Sequence, residues 1–249
     1  FEQMEMQFFV PPGTELKFYE EWKQKRLNWH LVLGLGQENY KFHDHEKLAH
    51  YANAAADIEF KFPFGFKELE GIHSRTDFDL SAHEKFSGRK LQYFDPERNE
   101  NYVPYVVETS IGLDRMFLAL FSNCLKDEVL EDGSERTVLS LPPALAPVKA
   151  AILPLVKKDG LPEFAEKIFN DLKYDFNVIS EEKDSIGKRY RRQDAIGTPF
   201  CITVDHDSLA DNTVTLRERD TMKQERVKVE DLRRIIDEKV NFRTLLSKI

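Results

Sequence analysis

The stretch Tyr105-Val106-Val107-Glu108-Thr109-Ser110-Ile111-Gly112-Leu113-Asp114-Arg115 runs on into the apolar segment Met116 to Phe121. It reads as a strand that turns directly into a helix. The strand delivers a carboxylate and a hydroxyl, from Glu108 and Ser110, to the point where the helix begins. Gly112 is expected to let that helix approach closely. Arg115 falls in the helix's first turn, where the macrodipole disfavours a cation. An anionic partner for Arg115 is therefore inferred; the alternative is a pair with an acidic neighbour.

Upstream, Phe1 to Val10 alternates, with Glu2, Met4, Met6 and Phe8 on one side and Phe1, Gln3, Glu5, Gln7 and Phe9 on the other. The second face needs water or a polar ligand opposite it. Pro11-Pro12-Gly13 ends this strand, and Thr14 can cap a helix to about Asn28 that turns Leu16, Tyr19 and Trp22 inward. A second helix is expected from near Asp44, with Leu48, Ala52 and Ala55 inward. Asp57 to Phe62 alternates again, placing Ile58, Phe60 and Phe62 on one face. Strands of period two interrupted by helices point to a largely antiparallel sheet covered on one side. Glu68-Leu69-Glu70-Gly71 leads into Arg75-Thr76-Asp77-Phe78-Asp79, a charge cluster that reads more readily as a surface ion-pair network than as a site. His43-Asp44-His45, with His50 beyond, matches no common zinc spacing, so no metal ligands are assigned. Gly34-Leu35-Gly36 reads as a turn, and Cys124 as a packed core residue.

Lys126 to Arg136 is polar and contains the turn signal Asp132-Gly133, with Leu141-Pro142-Pro143 shortly after. A domain boundary is expected there, giving residues 1–138 and 139–249. The second part alternates strands and helices: strands at Val148 to Leu155, Phe176 to Ile179, Phe200 to Val204, Thr213 to Arg217 and Val227 to Val229, with helices at Leu161 to Leu172, Ser185 to Ala195 and Glu230 to Val240. Such units predict a parallel or mixed sheet with helices on its faces. Lys188-Arg189-Tyr190-Arg191-Arg192-Gln193 is basic with an interleaved aromatic, a plausible phosphate or base contact.

The net charge of −8 hides an asymmetry: residues 1–138 carry 16 basic against 25 acidic side chains, residues 139–249 carry 20 against 19. A polyanion would favour the second part. No apolar run approaches the length of a membrane span. Two cysteines rule out a disulfide scaffold and point to a reducing, cytoplasmic setting. The chain opens in mid-pattern without an initiator methionine, as a fragment would.

Taken together these segments resemble class II aminoacyl-tRNA synthetases, specifically the dimeric glycyl kind. Phe1 to Phe9 resembles the second strand of motif 2, and Glu108 to Arg115 resembles motif 3. Glu68 to Ile72 with Arg75 to Leu80 resembles a glycyl-specific stretch between them. Residues 139–249, including Gly187-Lys188-Arg189-Tyr190 and Gly197-Thr198-Pro199-Phe200, resemble the anticodon-binding domain of such enzymes. The resemblance implies an α/β (α+β) fold: a partial antiparallel-sheet catalytic domain over 1–138 and a mixed-sheet anticodon-binding domain over 139–249. It implies activation of glycine by ATP with Mg²⁺, transfer to tRNA(Gly), and a homodimer in the full-length protein, with no membrane association. By position it implies ATP contacts at Phe1, Glu68, Leu69, Gly112, Leu113, Asp114 and Arg115. It implies glycine contacts at Phe1, Glu2, Gln3, Met4, Glu5, Glu108, Thr109, Ser110, Ile111 and Gly112. Glu108 and Arg115 would carry catalysis, and Arg189, Arg191, Arg192 and Arg217 are anticodon candidates by charge. The family's motif 1 and its motif 2 arginine would precede Phe1, so this polypeptide alone is expected to be weak or inactive. The alternative is a synthetase-like accessory protein that binds nucleic acid without activating an amino acid. The same fold serves either role.

Overall fold

The computed structural model describes all residues, 1–249. The chain divides into two compact units, Phe1–Ser122 with Ile249, and Asn123–Lys248. The division falls earlier than the expected boundary after residue 138.

The first unit contains β1 (Gln3–Val10), α1 (Glu15–Val32), β2 (Tyr40–Asp44), β3 (Ala54–Phe62), β4 (Gly65–Thr76), α2 (Phe78–Ser87), β5 (Tyr93–Asp95), β6 (Glu100–Tyr102), β7 (Tyr105–Gly112) and α3, which runs from Leu113 to Cys124. Five of the strands form one antiparallel sheet in the order β1-β7-β4-β3-β2, while β5 and β6 pair only with each other. Helix α1 lies across β3, β4 and β7. It packs the rings of Phe18 and Trp22 on Phe8. The even residues of β1 thus share a face with Val107, Ile72, Ile58 and Phe60, all fully buried or nearly so. The odd residues Gln3, Glu5 and Gln7 share the opposite face with Gly112, Ser110 and Glu108.

The expected second helix does not form. Tyr40–Asp44 is strand β2, paired residue for residue with β3, and Leu48 and Ala52 lie in the hairpin connection between them. Pairing with β3 forces the chain to reverse within that connection, which leaves no length for a helix. Asp44 accepts from Lys23, and Thr14, expected to cap α1, donates its hydroxyl to the Pro11 carbonyl instead. Gly112 is not a close-approach position either: a Cβ there would meet only the side chain of Arg115, at 3.8 Å.

Under α1, Glu70 is fully buried. It accepts from Arg26 Nε (2.5 Å) and Nη2 (3.1 Å) and contacts His30 Nε2 (2.7 Å). Burial raises its pKa, but the hydrogen bonds from His30 and Arg26 outweigh that and hold the carboxyl below its ordinary range.

The second unit contains β8 (Leu125–Val129), β9 (Glu135–Leu139), β10 (Ala150–Pro154), α4 (Leu161–Leu172), β11 (Val178–Ser180), α5 (Ile186–Ile196), β12 (Phe200–Val204), α6 (His206–Asp211), β13 (Thr213–Glu218), β14 (Gln224–Lys228), α7 (Leu232–Val240) and α8 (Phe242–Leu246). A mixed sheet, ordered β11-β10-β12-β13-β14, is parallel at β11-β10-β12 and antiparallel beyond. On one face Ile152, Ile202 and Leu216 pack with Leu161, Ile168, Leu232 and Ile236 from α4 and α7. On the other, Ala151, Leu153 and Cys201 pack with Ile186 and Tyr190 from α5. Covered on both faces, β10 and β12 are buried throughout, which is why their sequences are continuous apolar runs rather than alternating ones.

The polar stretch expected to mark the domain boundary is the hairpin β8–β9, and it carries a buried arginine into this unit. Arg136 reaches Asp194 Oδ2 (3.2 Å) and the Arg219 carbonyl (2.9 Å), while Arg217 grips both Asp194 oxygens at 2.7 and 2.9 Å. Asp194 has no solvent exposure.

Removing one partner from such a buried pair leaves an uncompensated charge. Glu70→Gln and, separately, Asp194→Asn are expected to lose about 3–5 kcal/mol in chemical denaturation. The contribution of Glu70 also has a sign in pH. Its folded pKa lies below the unfolded one, so its stabilisation is present above about pH 4.5 and disappears as pH falls through the lower folded value. Wild-type and Glu70→Gln stabilities should therefore converge on acidification.

Candidate active site

A cavity of about 320 Å³ opens in the first unit, lined by Phe1, Glu2, Gln3, Glu68, Leu69, Ser110, Gly112, Asp114 and Arg115. Its parts come from three strands and the start of α3. The pairing of β1 with β7 continues past Gly112, where the Leu113 N–H donates to the Glu2 carbonyl (3.0 Å), so the first turn of α3 is fixed beside β1. Free N–H groups and the positive dipole end at that turn favour an anion in the cavity.

Glu68 reaches the cavity through a defect in β4. Residues two apart on a strand normally point the same way. Here Ile58 pairs with Glu70 and Glu59 with Glu68, so Leu69 has no partner across β3. This β-bulge sends Glu70 beneath α1 and leaves Glu68 on the cavity side. Arg115 closes that wall: its Nη1 donates to the Glu68 carbonyl (2.6 Å) and lies 3.3 Å from the Glu68 carboxylate. Both side chains are about half exposed, so the pair is cheap to open for a stronger anion. The acidic-neighbour alternative thus describes Arg115 in the ligand-free chain.

Glu108 sits deeper in the same polar face and is 5% exposed. Gln7 Nε2 donates to one of its oxygens (3.2 Å) and Arg75 Nη1 to the other (3.0 Å). Arg75 is itself held by Asp79 through Nε (2.8 Å) and stacked on Tyr51, its guanidinium carbon 4.3 Å from the ring centre. It lies in a second register shift of β4, between Ser74 and Thr76, and Thr76 adopts φ 55°. A β-branched residue in that region is strained. The strain accompanies a bulge that aims Arg75 at Glu108. Gln3 donates to the Ser110 hydroxyl, and Ser110 stands opposite Gly71. The His73 ring covers Gly71, where a Cβ would fall 2.7 Å from it. Burial lowers the pKa of His73 below its ordinary 6.5, against the pull of Glu108 and Asp57, and its Nδ1 has no hydrogen-bond partner. His45 pairs with Asp57 (2.9 Å). No group of three or more His, Cys, Asp or Glu side chains is arranged to hold a metal ion.

Of the residues expected around this site, Phe1, Glu2, Gln3, Glu68, Leu69, Ser110, Gly112, Asp114 and Arg115 meet at the cavity, and Glu108 lies on the same sheet face. Glu5 stands opposite Ser110 on that face, and Leu113 begins α3. Met4, Thr109 and Ile111 occupy alternate positions and turn to the α1 side, so only their backbone belongs to the site face. Gln7, His73 and Arg75, on the sheet face beside the cavity, are assigned no role from the sequence. Period two relative to Glu108 and Ser110 was the available signal, but it needs the pairing register, which the sequence does not carry.

In the second unit, Arg189 and Arg217 are not surface groups. Arg189 is 1% exposed and donates to the carbonyls of Pro154, Leu155 and Glu181, and Arg217 is committed to Asp194. Arg191 and Arg192 have side chains about 40% exposed. The Cys201 thiol, pushed up to about 12 by burial, has no reactive thiolate near neutral pH.

Residues 149–239 match a family model described as an anticodon binding domain. A glycine–tRNA ligase of Chlorobaculum tepidum is 56% identical over 228 residues, 91% of this chain and 48% of that protein. One of Macrococcus caseolyticus is 54% identical over 244 residues, 97% of this chain and 52% of that protein. One of Geobacillus thermodenitrificans is 52% identical with the same coverage. The chain spans about half the length of the curated relatives it matches. Over that half, more than half of the chain's aligned residues are identical to those of glycine–tRNA ligases.

Proposed function

We propose that the protein containing this chain activates glycine with Mg²⁺-ATP to glycyl-adenylate and transfers the glycyl group to tRNA(Gly) in the cytoplasm. The observation that carries this reading is the junction of an anion-favouring helix start, an arginine and a carboxylate-rich sheet face around one cavity of about 320 Å³. Exposed Phe1 offers a ring for an adenine, with Arg115 as the facing cation. Glu2, Glu5 and Glu108 suit an ammonium group. The Ser110 hydroxyl and the Gln3 amide narrow the cavity beside Gly112, which suits an amino acid with no side chain.

The reaction needs no protein nucleophile. The glycine carboxylate attacks the α-phosphorus and pyrophosphate leaves, so the chain's contribution is orientation and charge stabilisation. Arg115 exchanges its Glu68 contact for the nucleotide, while Arg75 and Gln7 fix the plane of Glu108 and leave its remaining lone pairs to the substrate ammonium. The metal enters with the triphosphate, and Glu68 is the carboxylate placed to meet it at the cavity edge. Homodimer formation belongs to the same reading. In the second unit, Arg191 and Arg192 are the candidates for contact with the anticodon by exposure, Arg191 standing 4.0 Å from Asp194 and Arg192 having to exchange its Glu181 and Asp184 contacts, while Arg189 and Arg217 are buried.

The test is amino-acid-dependent ATP–pyrophosphate exchange by the full-length protein, with glycine, alanine, serine and proline offered separately. Exchange with glycine alone is expected; silence with all four, while RNA binding persists, supports the accessory-protein alternative. Glu108→Gln and Arg75→Gln should each raise the KM for glycine by about ten- to a hundredfold, the worth of one charged hydrogen bond, with the KM for ATP nearly unchanged. Equal losses for both substrates would remove Glu108 from the amino-acid pocket.

A further inference from the structure

We infer that Lys85 to Phe94, the end of α2 and the start of the β5–β6 ribbon, forms a contact site for single-stranded RNA on the first unit. The inference rests on the tRNA-charging reading for the identity of the RNA, but not for the chemistry of the site. Lys85-Phe86-Ser87-Gly88-Arg89-Lys90-Leu91-Gln92-Tyr93-Phe94 holds three cations and no acid, and every residue of it is exposed. Its surroundings have the opposite sign: residues 1–122 carry 14 basic against 20 acidic side chains. Arg89 and Lys90 make no ion pair, and Lys85 has only the Phe86 ring, 5.7 Å away. An uncompensated cationic run within an acidic unit is where a polyanion can approach it.

The aromatic rings decide which polyanion. Phe86 is 84% exposed, Tyr93 53% and Phe94 50%. Gly88, at φ 67°, ends α2 and turns the chain from Phe86 toward the ribbon. The two-stranded ribbon joins no other sheet, and Tyr93, Phe94, Glu100 and Asn101 on it are exposed. Tyr93 and Phe94, being adjacent on a strand, present one ring to each face. Asp95 accepts from the Glu97 and Arg98 N–H groups and closes the hairpin, fixing the rings in place. Exposed rings interleaved with cations are the platform on which unpaired bases stack while their phosphates are neutralised. Double-stranded RNA offers phosphates but no free base faces. The ribbon leads into β7 at its Tyr105 end, roughly 17 Å at strand rise from Ser110 at the cavity.

The test uses the full-length protein with a fluorescein-labelled single-stranded RNA of about ten nucleotides, a duplex of equal length, and a tRNA(Gly) transcript. Changing Lys85, Arg89 and Lys90 together to alanine is expected to weaken single-strand binding about tenfold at 0.1 M salt and to flatten the salt dependence by about two units of slope. Phe86→Ala or Phe94→Ala should cost about fivefold or more with the salt slope unchanged. Glycine-dependent exchange should stay within about twofold, while the KM for tRNA in aminoacylation rises. Unchanged single-strand affinity in the triple variant overturns the inference, and so does a duplex that binds as tightly as the single strand. Absence of exchange in the wild type would remove the functional reading alone, because the RNA titrations stand without it.

Discussion

The bulge at Leu69 is the constraint on which the first unit depends. Without it, Glu68 and Glu70 would share a face of β4, and a sheet covered on one side cannot serve both. With it, Glu70 goes under α1, where Arg26 and His30 neutralise and hydrogen-bond it, and Glu68 goes to the cavity. The helix-facing ion pair anchors α1 on the sheet, and the cavity-facing carboxylate meets Arg115. A single inserted residue therefore couples the packing of the core to the composition of the site. The second bulge of β4, at Arg75, does related work at the other end of the strand by turning a guanidinium onto Glu108.

The site face shows why its chemistry is better served by strands than by loops. Where catalysis consists of holding two substrates in line, small displacements of the supporting groups are costly. Gln3, Glu5 and Gln7 are fixed by a ladder against Gly112, Ser110 and Glu108 in turn. The Gln7 to Glu108 hydrogen bond joins one such pair directly, while Gln3 reaches diagonally from its partner Gly112 to Ser110. The one mobile element implied is the exposed Arg115–Glu68 pair, and it is the element that must yield when a phosphate enters.

Much of this was legible in the sequence. The alternation in Phe1 to Val10 placed Gln3, Glu5 and Gln7 on a face needing a polar partner, and the junction at Gly112 located the helix start. In the second unit, uninterrupted apolar runs at Ala150–Pro154 and Phe200–Val204 marked strands covered on both sides. What escaped depended on register and on partners distant in sequence. No periodicity announces that Leu69 is unpaired, that Arg75 turns to Glu108, or that His43 continues a strand rather than opening a helix. Charge misled in the second unit for the same reason. Arg189 and Arg217 look like surface cations in a basic helix and strand, yet one satisfies backbone carbonyls and the other is matched by a fully buried aspartate.

Buried arginines also explain how a polar hairpin such as β8–β9 can be integral to a unit. Arg136 alone engages Glu128, Asp194 and the carbonyls of Arg219 and Asp220. A guanidinium presents five donors in a plane, so one side chain can satisfy carbonyls from several segments that would otherwise be buried unpaired. Lysine, with a compact ammonium, cannot span them. The cost of burying such cations is met by Asp194, which serves two of them, and by the carbonyl dipoles. A carboxylate shared in this way favours one arrangement of hairpin, helix and strand over its alternatives, because every displaced arrangement strands a charge. The second unit thus uses its arginines as internal fasteners, and even the half-exposed Arg192 is paired with Glu181 and Asp184.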